Sequence, residues 1–178
     1  MKKAIHYINQ FFGGIGGEDK ADFQPVLKEG VVGPGMAFNT AMKNVQITHT
    51  IICGDNYMGS NKDDAVKEIM ELIKDIDFDF FIAGPAFQAG RYGVACGNIC
   101  QAIKEKYGVP VVTSMNVENP GVEMFKKDMP IFEGGNSAAS MKKDAEKVAK
   151  YVDKIATGEA LGGAEENGYF PGGVRHQV

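Results

Sequence analysis

The residues best suited to bind a ligand lie in a glycine-rich segment near the start of the sequence. Four of the five residues in 13–17 are glycine, and acidic residues follow at once. Successive backbone N–H groups in such a segment can converge on an anion, while nearby carboxylates face a cationic nitrogen. The alternative is a flexible turn with solvated charges. The substrate contacts predicted from this segment are Gly14, Gly16, Gly17, Glu18 and Asp19.

An arginine and two asparagines extend the predicted site. Arg91 precedes a predicted helix, and its guanidinium could bind a carboxylate through two parallel hydrogen bonds, although a surface ion pair is the simpler role. Asn119 and Asn136 each precede a predicted helix, whose amino end attracts anions. Helix capping explains both asparagines and does not exclude ligand binding. We predict all three residues as substrate contacts.

The three cysteines are Cys53, Cys96 and Cys100. Cys53 ends a predicted strand where a site would form, so Cys53 and Asp55 are the predicted catalytic residues. A reactive thiolate needs nearby positive charge, and Asp55 works against that. Cys96 and Cys100 lie four residues apart on a predicted helix and share a face, which could begin a metal site. Because zinc needs three or four ligands and no histidine has a matching spacing, we predict buried structural cysteines and no metal.

Length and composition exclude several classes of function. The chain has 178 residues and a formal net charge of −4, which does not suggest the concentrated basic surface that nucleic acids require. No apolar run approaches the ~18 residues of a membrane span, and no signal peptide is visible. We therefore expect a cytoplasmic protein with reduced thiols. The glycine-rich segment also lacks the Gly-Lys-Ser/Thr of a nucleotide-binding P-loop.

Strand-like and helix-like segments alternate along the chain. The predicted strands are Ala4–Ile8, Val45–Cys53, Phe78–Ala83, Val109–Thr113 and Pro130–Phe132. Apolar stripes predict helices around residues 66–73, 95–107 and 141–152, and a shorter helix follows Gly35. This alternation predicts an α/β fold with a mostly parallel, doubly wound (Rossmann- or flavodoxin-like) sheet and helices on both faces. Ligands of such sheets bind beyond the carboxyl ends of the strands.

Two regions are predicted along the chain. Residues 1–158 contain all of the strands and long helices, and we predict that they form an α/β substrate-binding domain. Residues 159–178 are rich in glycine and glutamate and are predicted to be a linker or docking arm.

Several motifs occur in order along nearly the whole chain: Tyr7–Asp22, Gly33–Gly35, Cys53–Asp55, Ala83–Phe87, Ala89–Gly93, Glu118–Val122 and Gly135–Ala139. Together they resemble the selenoprotein B subunit family of the glycine, sarcosine and betaine reductases. Because the motifs are separate and keep the family's order, the resemblance is specific.

The resemblance implies binding of a small amine that carries a carboxylate, namely glycine, sarcosine or betaine. It also implies two partners, a pyruvoyl-containing subunit and selenoprotein A, whose selenocysteine receives the carboxymethyl group. Family members are more than twice this length and carry their own selenocysteine in the second half. We therefore expect no cofactor in this chain, with the pyruvoyl group and selenocysteine on partner chains or in a segment absent here. The sequence leaves open whether the chain assembles into a homo-oligomer.

The leading hypothesis is a substrate-binding domain of component B that positions an amino acid or betaine for reductive C–N cleavage by selenolate or thiol partners. A second hypothesis is a non-catalytic assembly module that docks the pyruvoyl subunit or selenoprotein A. A flavodoxin-like cofactor binder is a third, and the absence of Ser and Thr from residues 9–17 counts against it. An isolated enzyme with Cys53 as the nucleophile is a weaker fourth.

Overall fold

The computed structural model describes residues 1–172 and contains one six-stranded sheet. Its strands are β1 (Lys2–Ile8), β2 (Val26–Glu29), β3 (Val45–Ile52), β4 (Phe80–Ala83), β5 (Val111–Met115) and β6 (Ile131–Glu133). All five strands predicted from the sequence are present. The additional strand β2 has four residues, and none of them is fully buried. Its short and half-polar sequence carries no alternating apolar pattern that would predict a strand.

The strands lie in the order β2-β3-β1-β4-β5-β6. Strand β2 is antiparallel to β3, and every other neighbouring pair is parallel. The predicted α/β fold with a mostly parallel sheet is therefore confirmed. Without β2, the five parallel strands follow the order 2-1-3-4-5, which is the order of flavodoxin-like sheets. The chain moves from β1 to β3 on one side and later to β4 on the other, so the topological switch point lies between β1 and β4.

Helices cover both faces of the sheet. They are α1 (Gly35–Ala41), α2 (Asp55–Ser60), α3 (Lys62–Ile73), α4 (Gly90–Tyr107), α5 (Pro120–Phe125), α6 (Met141–Thr157) and α7 (Ala164–Asn167). Helices α2 to α5 bury apolar side chains such as Ile69 and Ile99 in one core. Helices α1 and α6 bury Phe38 and Val148 in a second core on the opposite face. The apolar stripes of the three long helices thus face the sheet as predicted.

Helix α4 packs against α5 through glycines. A Cβ atom on Gly97 would lie 2.1 Å from Cδ2 of Phe125, and one on Gly93 would lie 2.1 Å from Oδ1 of Asn119. These distances leave no room for a side chain, so the close approach of the two helices requires glycine. The contact fixes the amino end of α4, which carries Arg91, against the loop that follows β5.

The described part of the predicted arm lies against the edge of the sheet. Tyr169 forms an antiparallel bridge with Phe132, and the Phe170 N–H donates to the Ile131 carbonyl at 2.9 Å. The Tyr169 ring also packs on Phe132 and Tyr151, with centroid distances of 5.5 and 5.6 Å. Residues 173–178 of the predicted arm, including His176, lie outside the described residues.

Candidate functional site

The loops that follow β1 and β4 meet at the topological switch point. In open α/β sheets this crevice is the usual place for a ligand. The Phe12 ring from the first loop packs on Phe87 from the second and on Tyr92 of α4, with centroid distances of 5.7 and 5.9 Å. Phe87 has φ of 53°, a left-handed conformation that is rare for an aromatic residue. The crevice is therefore built on an apolar floor with a strained backbone beside it.

The glycine-rich segment uses most of its N–H groups internally. The amides of Gly13 and Gly14 donate to the carbonyls of Asn9 and Phe11 at 2.9 and 3.1 Å. Those of Ile15 and Gly16 both donate to the Gln10 carbonyl. The N–H groups of Gly14 and Gly16 thus donate within the loop in this structure, and their role as donors to a substrate stays a prediction. Their glycine identity serves the tight loop, in which Gly14 has φ of 76°.

Gly17, Glu18 and Asp19 lie at the exposed end of this segment. Gly17 precedes a 3-10 turn over Glu18–Lys20, and all of these residues are exposed. Glu18 forms an ion pair with Arg91 of α4. The structure therefore brings the end of the glycine-rich segment and Arg91 together, as expected of loops that follow neighbouring parallel strands. Because both charged side chains are mostly exposed, the pair contributes little stability and its partners can be exchanged.

A buried polar cluster lies beneath this ion pair. The Asn9 side-chain amide donates to Oδ2 of Asp55 at 2.9 Å, and the Asp55 backbone N–H donates to Oε1 of Gln10 at 3.1 Å. The Phe12 N–H in turn donates to Oδ1 of Asn9 at 2.9 Å. Asn9 and Gln10 were not predicted as site residues. Their signals in the sequence are their polarity directly after the buried strand β1 and their place in the motif Tyr7–Asp22.

Asp55 has an unusual environment for a carboxylate. Its side chain is only 7% exposed, and Oδ1 has no hydrogen-bond partner among the described residues. Burial raises the pKa of Asp55 to about 6. The hydrogen bond from Asn9 and the charge of Arg91 both lower this pKa and offset part of the increase. A buried acceptor without a partner is costly and is frequently associated with function.

Asp55 and Arg91 line one groove between α2 and α4. Its volume is about 500 Å³. Apart from Asp55 and Arg91, the groove is lined by small or apolar groups and two polar side chains: Asn56, Gly59, Ser60, Gly90, Val94, Ala95 and Pro120. Asp55 and Arg91 are thus the two charged residues among those that line a mostly apolar space. We call this space the Asp55–Arg91 groove.

The cysteines are buried and do not reach the groove. Burial, with a smaller contribution from the charge of Asp55, raises the pKa of the Cys53 thiol to about 12. Burial likewise raises the pKa of Cys96 and Cys100. All three thiols are therefore protonated at neutral pH, and a nucleophilic role for Cys53 would require a thiolate that its surroundings disfavour.

The two asparagines differ in their use. Asn119 is buried, and its side chain caps α5 by accepting from the Gly121 N–H at 3.0 Å. Its amide also donates to the carbonyls of Phe87 and Ala89, at 3.0 Å each, so the side chain braces the loop after β4, and its role as a substrate contact stays a prediction. Asn136 is exposed in the loop after β6, three strands from β1, or roughly 14 Å at the usual strand spacing. The structure does not bring Asn136 to the Asp55–Arg91 groove.

Within residues 1–172, no group of three or more His, Cys, Asp and Glu side chains is placed to hold a metal ion. Over the same residues, every helix is too short or too polar to cross a bilayer.

Comparisons with known proteins give a consistent result. A family model described as Glycine/sarcosine/betaine reductase selenoprotein B (GRDB) matches residues 1–178. The chain is 60% identical over 177 residues to the betaine reductase complex component B subunit beta of Peptoclostridium acidaminophilum, which covers 99% of this chain and 40% of that protein. It is 54% identical over 174 residues to the sarcosine reductase complex component B subunit beta of the same organism, with coverage of 97% and 40%.

A third relative is the glycine reductase complex component B subunit gamma of Carboxydothermus hydrogenoformans. It is 46% identical over 174 residues, which cover 97% of this chain and 40% of that protein. The chain therefore spans 40% of the length of the relatives that it matches. No solved structure matches the chain.

Proposed function

The chain belongs to the glycine/sarcosine/betaine reductase selenoprotein B family, and from this premise we propose that it binds the zwitterionic substrate of such a reductase in the Asp55–Arg91 groove. The resemblance predicted from the motifs is thereby confirmed. The observation that carries the proposal is the buried carboxylate of Asp55, whose Oδ1 has no partner among residues 1–172 and which shares a groove with Arg91.

The two charges suit the two ends of a small zwitterion. The Arg91 guanidinium would take the substrate carboxylate through two parallel hydrogen bonds. The unpaired oxygen of Asp55 would take the cationic nitrogen, by a hydrogen bond for a protonated amine and by charge alone for a quaternary one. Because Val94, Ala95 and Pro120 line the same groove, its walls fit the methyl groups of sarcosine or betaine.

Substrate binding would require an exchange of partners at Arg91. In the structure, Arg91 is paired with Glu18. An incoming carboxylate would replace the Glu18 carboxylate, which is free to turn to solvent because it is exposed. The amine would meanwhile approach Asp55 beneath. The residues of this chain would thus bind and orient the carbon that is attacked, and their contribution would be positioning.

The groups that carry out the reduction are proposed to lie elsewhere. A pyruvoyl group and a selenocysteine are expected on partner chains or in the part of the relatives that this chain does not match. The three thiols of this chain are buried and burial raises their pKa, which supports this assignment.

Calorimetric titration of the chain with glycine, sarcosine, betaine and D-proline tests the proposal. We expect at least one of the four compounds to bind with measurable heat. Arg91→Ala and Asp55→Asn should each weaken the affinity for that compound about tenfold or more. A third variant makes the test directional: Glu18→Gln should tighten binding, because it removes the side chain that competes for Arg91. Binding that is unchanged in Arg91→Ala, or weakened in Glu18→Gln, would contradict the exchange at Arg91.

Docking of the pyruvoyl-containing subunit or of selenoprotein A without substrate binding is the competing proposal. It is favoured by apolar side chains, such as Phe11 and Val117, that are exposed in loops beside the groove. The same titration separates the two: no heat with any of the four compounds, together with tight association with a partner subunit, would support docking alone.

A further inference from the structure

Two tyrosine hydroxyls lie on the core side of the Asp55 carboxyl. Tyr7 faces inward from β1 and Tyr92 from the first turn of α4, and both side chains are completely buried. Neither hydroxyl has a hydrogen-bond partner among residues 1–172, and the same is true of Oδ1 of Asp55. Each of the three atoms therefore has hydrogen-bonding capacity that the described residues leave unused, which is costly in a protein interior.

The three groups belong to one cluster. The Asn9 side chain donates to Oδ2 of Asp55, and the backbone of Asn9 lies beside the Tyr92 hydroxyl. The Tyr7 hydroxyl lies beside the thiol of Cys53, two residues before Asp55. Burial raises the pKa of Tyr7 and of Tyr92, and the nearby charge of Asp55 contributes to the increase at both. Both hydroxyls are therefore protonated at neutral pH and can donate a hydrogen bond.

We propose that one enclosed water molecule joins Oδ1 of Asp55 to the hydroxyls of Tyr7 and Tyr92. A buried water typically makes about three hydrogen bonds to polar groups that the protein leaves unsatisfied, and three such atoms meet here. Water suits this set because it donates to a carboxyl oxygen and accepts from a hydroxyl, whereas the carboxylate would repel an anion. A substrate in the groove does not replace the water, because both tyrosines belong to the apolar core and neither lines the groove.

The water makes Tyr7 and Tyr92 positioning residues for Asp55. Hydrogen bonds that end on a carboxylate favour its ionised form. A carboxylate oxygen has two acceptor positions, so Oδ1 can accept from the water on the core side and from a substrate amine on the groove side. The two tyrosines thus help to keep Asp55 ionised and in place, although they touch no substrate. The link to substrate rests on the proposed function, whereas the water site does not.

A crystal structure of the chain tests the water directly. We expect density for a single water molecule roughly 2.6–3.2 Å from Oδ1 of Asp55 and from each tyrosine hydroxyl. A direct hydrogen bond between Asp55 and either hydroxyl, or an enclosed space without density, overturns the proposal. This measurement uses the native chain, so it decides the matter even where a substitution prevents folding.

The pKa of Asp55 tests the positioning role. It is followed by carbon NMR of the aspartate carboxyl groups, and Asp55→Asn assigns the signal. Tyr7→Phe and Tyr92→Phe each remove one hydroxyl and keep the ring, so the pKa of Asp55 should rise by roughly 0.5–1 pH unit in each. Tyr151→Phe is the matched control, because Tyr151 is also buried but lies in α6 on the opposite face of the sheet. A pKa that is unchanged in either tyrosine variant, or that rises equally in Tyr151→Phe, overturns the proposal.

The other groups around Asp55 are the same in all of these variants. They come from the 3-10 turn, the loop after β1, the end of β3 and α4: Glu18, Asn9, Gln10, Cys53, Arg91 and Cys96. Because none of them is substituted, a change in the pKa of Asp55 reports the lost hydroxyl.

Betaine titration separates this proposal from the proposed function. In Tyr92→Phe the affinity for betaine should fall roughly two- to fivefold at pH 6, where the raised pKa leaves less carboxylate, and should be unchanged at pH 8. Equal weakening at both pH values would indicate a structural defect and overturn the positioning role. A raised pKa with unchanged betaine binding contradicts the proposed substrate site and leaves the water site intact. An unchanged pKa, with betaine binding lost in Asp55→Asn, overturns the water link and leaves the substrate site intact.

Discussion

Replacement of Asp55 by asparagine is expected to stabilise the fold at neutral pH while it weakens substrate binding. The reason is the pKa of the buried carboxyl, which burial raises from 3.8 to about 6. The folded state therefore binds this proton more tightly than the unfolded state. Its contribution to stability is fully present below about pH 4 and is lost as the pH rises through about 6.

The size of the effect follows from the same shift. Above pH 6 the ionised carboxylate costs at most about 3 kcal/mol, since each pKa unit corresponds to roughly 1.4 kcal/mol. Asparagine resembles the protonated acid, and its carbonyl oxygen can still accept the hydrogen bond from Asn9. The free energy of unfolding of Asp55→Asn should therefore equal that of the native chain near pH 4 and exceed it by up to about 3 kcal/mol at pH 8.

Urea denaturation of both proteins at pH 4, 5, 6, 7 and 8 measures this difference directly. The matched control is Asp75→Asn, because Asp75 is exposed and its substitution should change stability by less than about 0.5 kcal/mol at every pH. A variant that is no more stable than the native chain at pH 8 would refute the reasoning. It would show that Arg91 and Asn9 fully offset the free-energy cost of burying the Asp55 charge. The unpaired oxygen would then have no unfavourable free energy for a ligand to relieve.

Three further predictions concern packing, capping and the thiols. Gly97→Ala should lower the free energy of unfolding by about 2 kcal/mol, because the new Cβ clashes with Phe125. Gly59→Ala should raise the free energy of unfolding by roughly 0.5–1 kcal/mol, because its Cβ meets nothing within 4 Å. Urea denaturation measures both changes. Asn119→Ala should lower the free energy of unfolding by about 2–3 kcal/mol, because it removes the helix cap and two buried hydrogen bonds. Asn136→Ala should lower the free energy of unfolding by less than about 0.5 kcal/mol. A thiol reagent at pH 8 should modify no cysteine of the native chain and all three in denaturant; a fast-reacting thiol in the native chain would contradict the buried environment.

The elements of this fold are predictable from local pattern because most of them are buried on one stripe or along a whole strand. Helix α6 ends at Gly158, whose left-handed conformation is the usual helix stop. Strand β2 lacks such a pattern, since it forms only through its pairing with β3 at the edge of the sheet. Its presence depends on tertiary contacts that the local sequence does not encode.

The meeting of the glycine-rich segment with Arg91 was predictable from the sequence, and the contacts of the individual groups were not. Parallel strands bring their following loops to one edge, and this rule alone places the end of the glycine-rich segment beside Arg91. The direction of each N–H group depends on which carbonyl it meets after folding, so the internal use of the Gly14 and Gly16 amides could not be predicted. The burial of Asp55 under Asn9 and Gln10 is equally a property of three-dimensional packing.

The two edges of the sheet limit its growth in different ways. Strand β2 is short and presents the charged residues Lys28 and Glu29 to solvent. At the opposite edge, the segment that contains Tyr169 and Phe170 occupies hydrogen-bonding positions of β6. Unpaired strand edges serve as templates for aggregation, and charge or coverage prevents it. A chain shortened before α7 would therefore expose β6 and gain a route to self-association through its backbone.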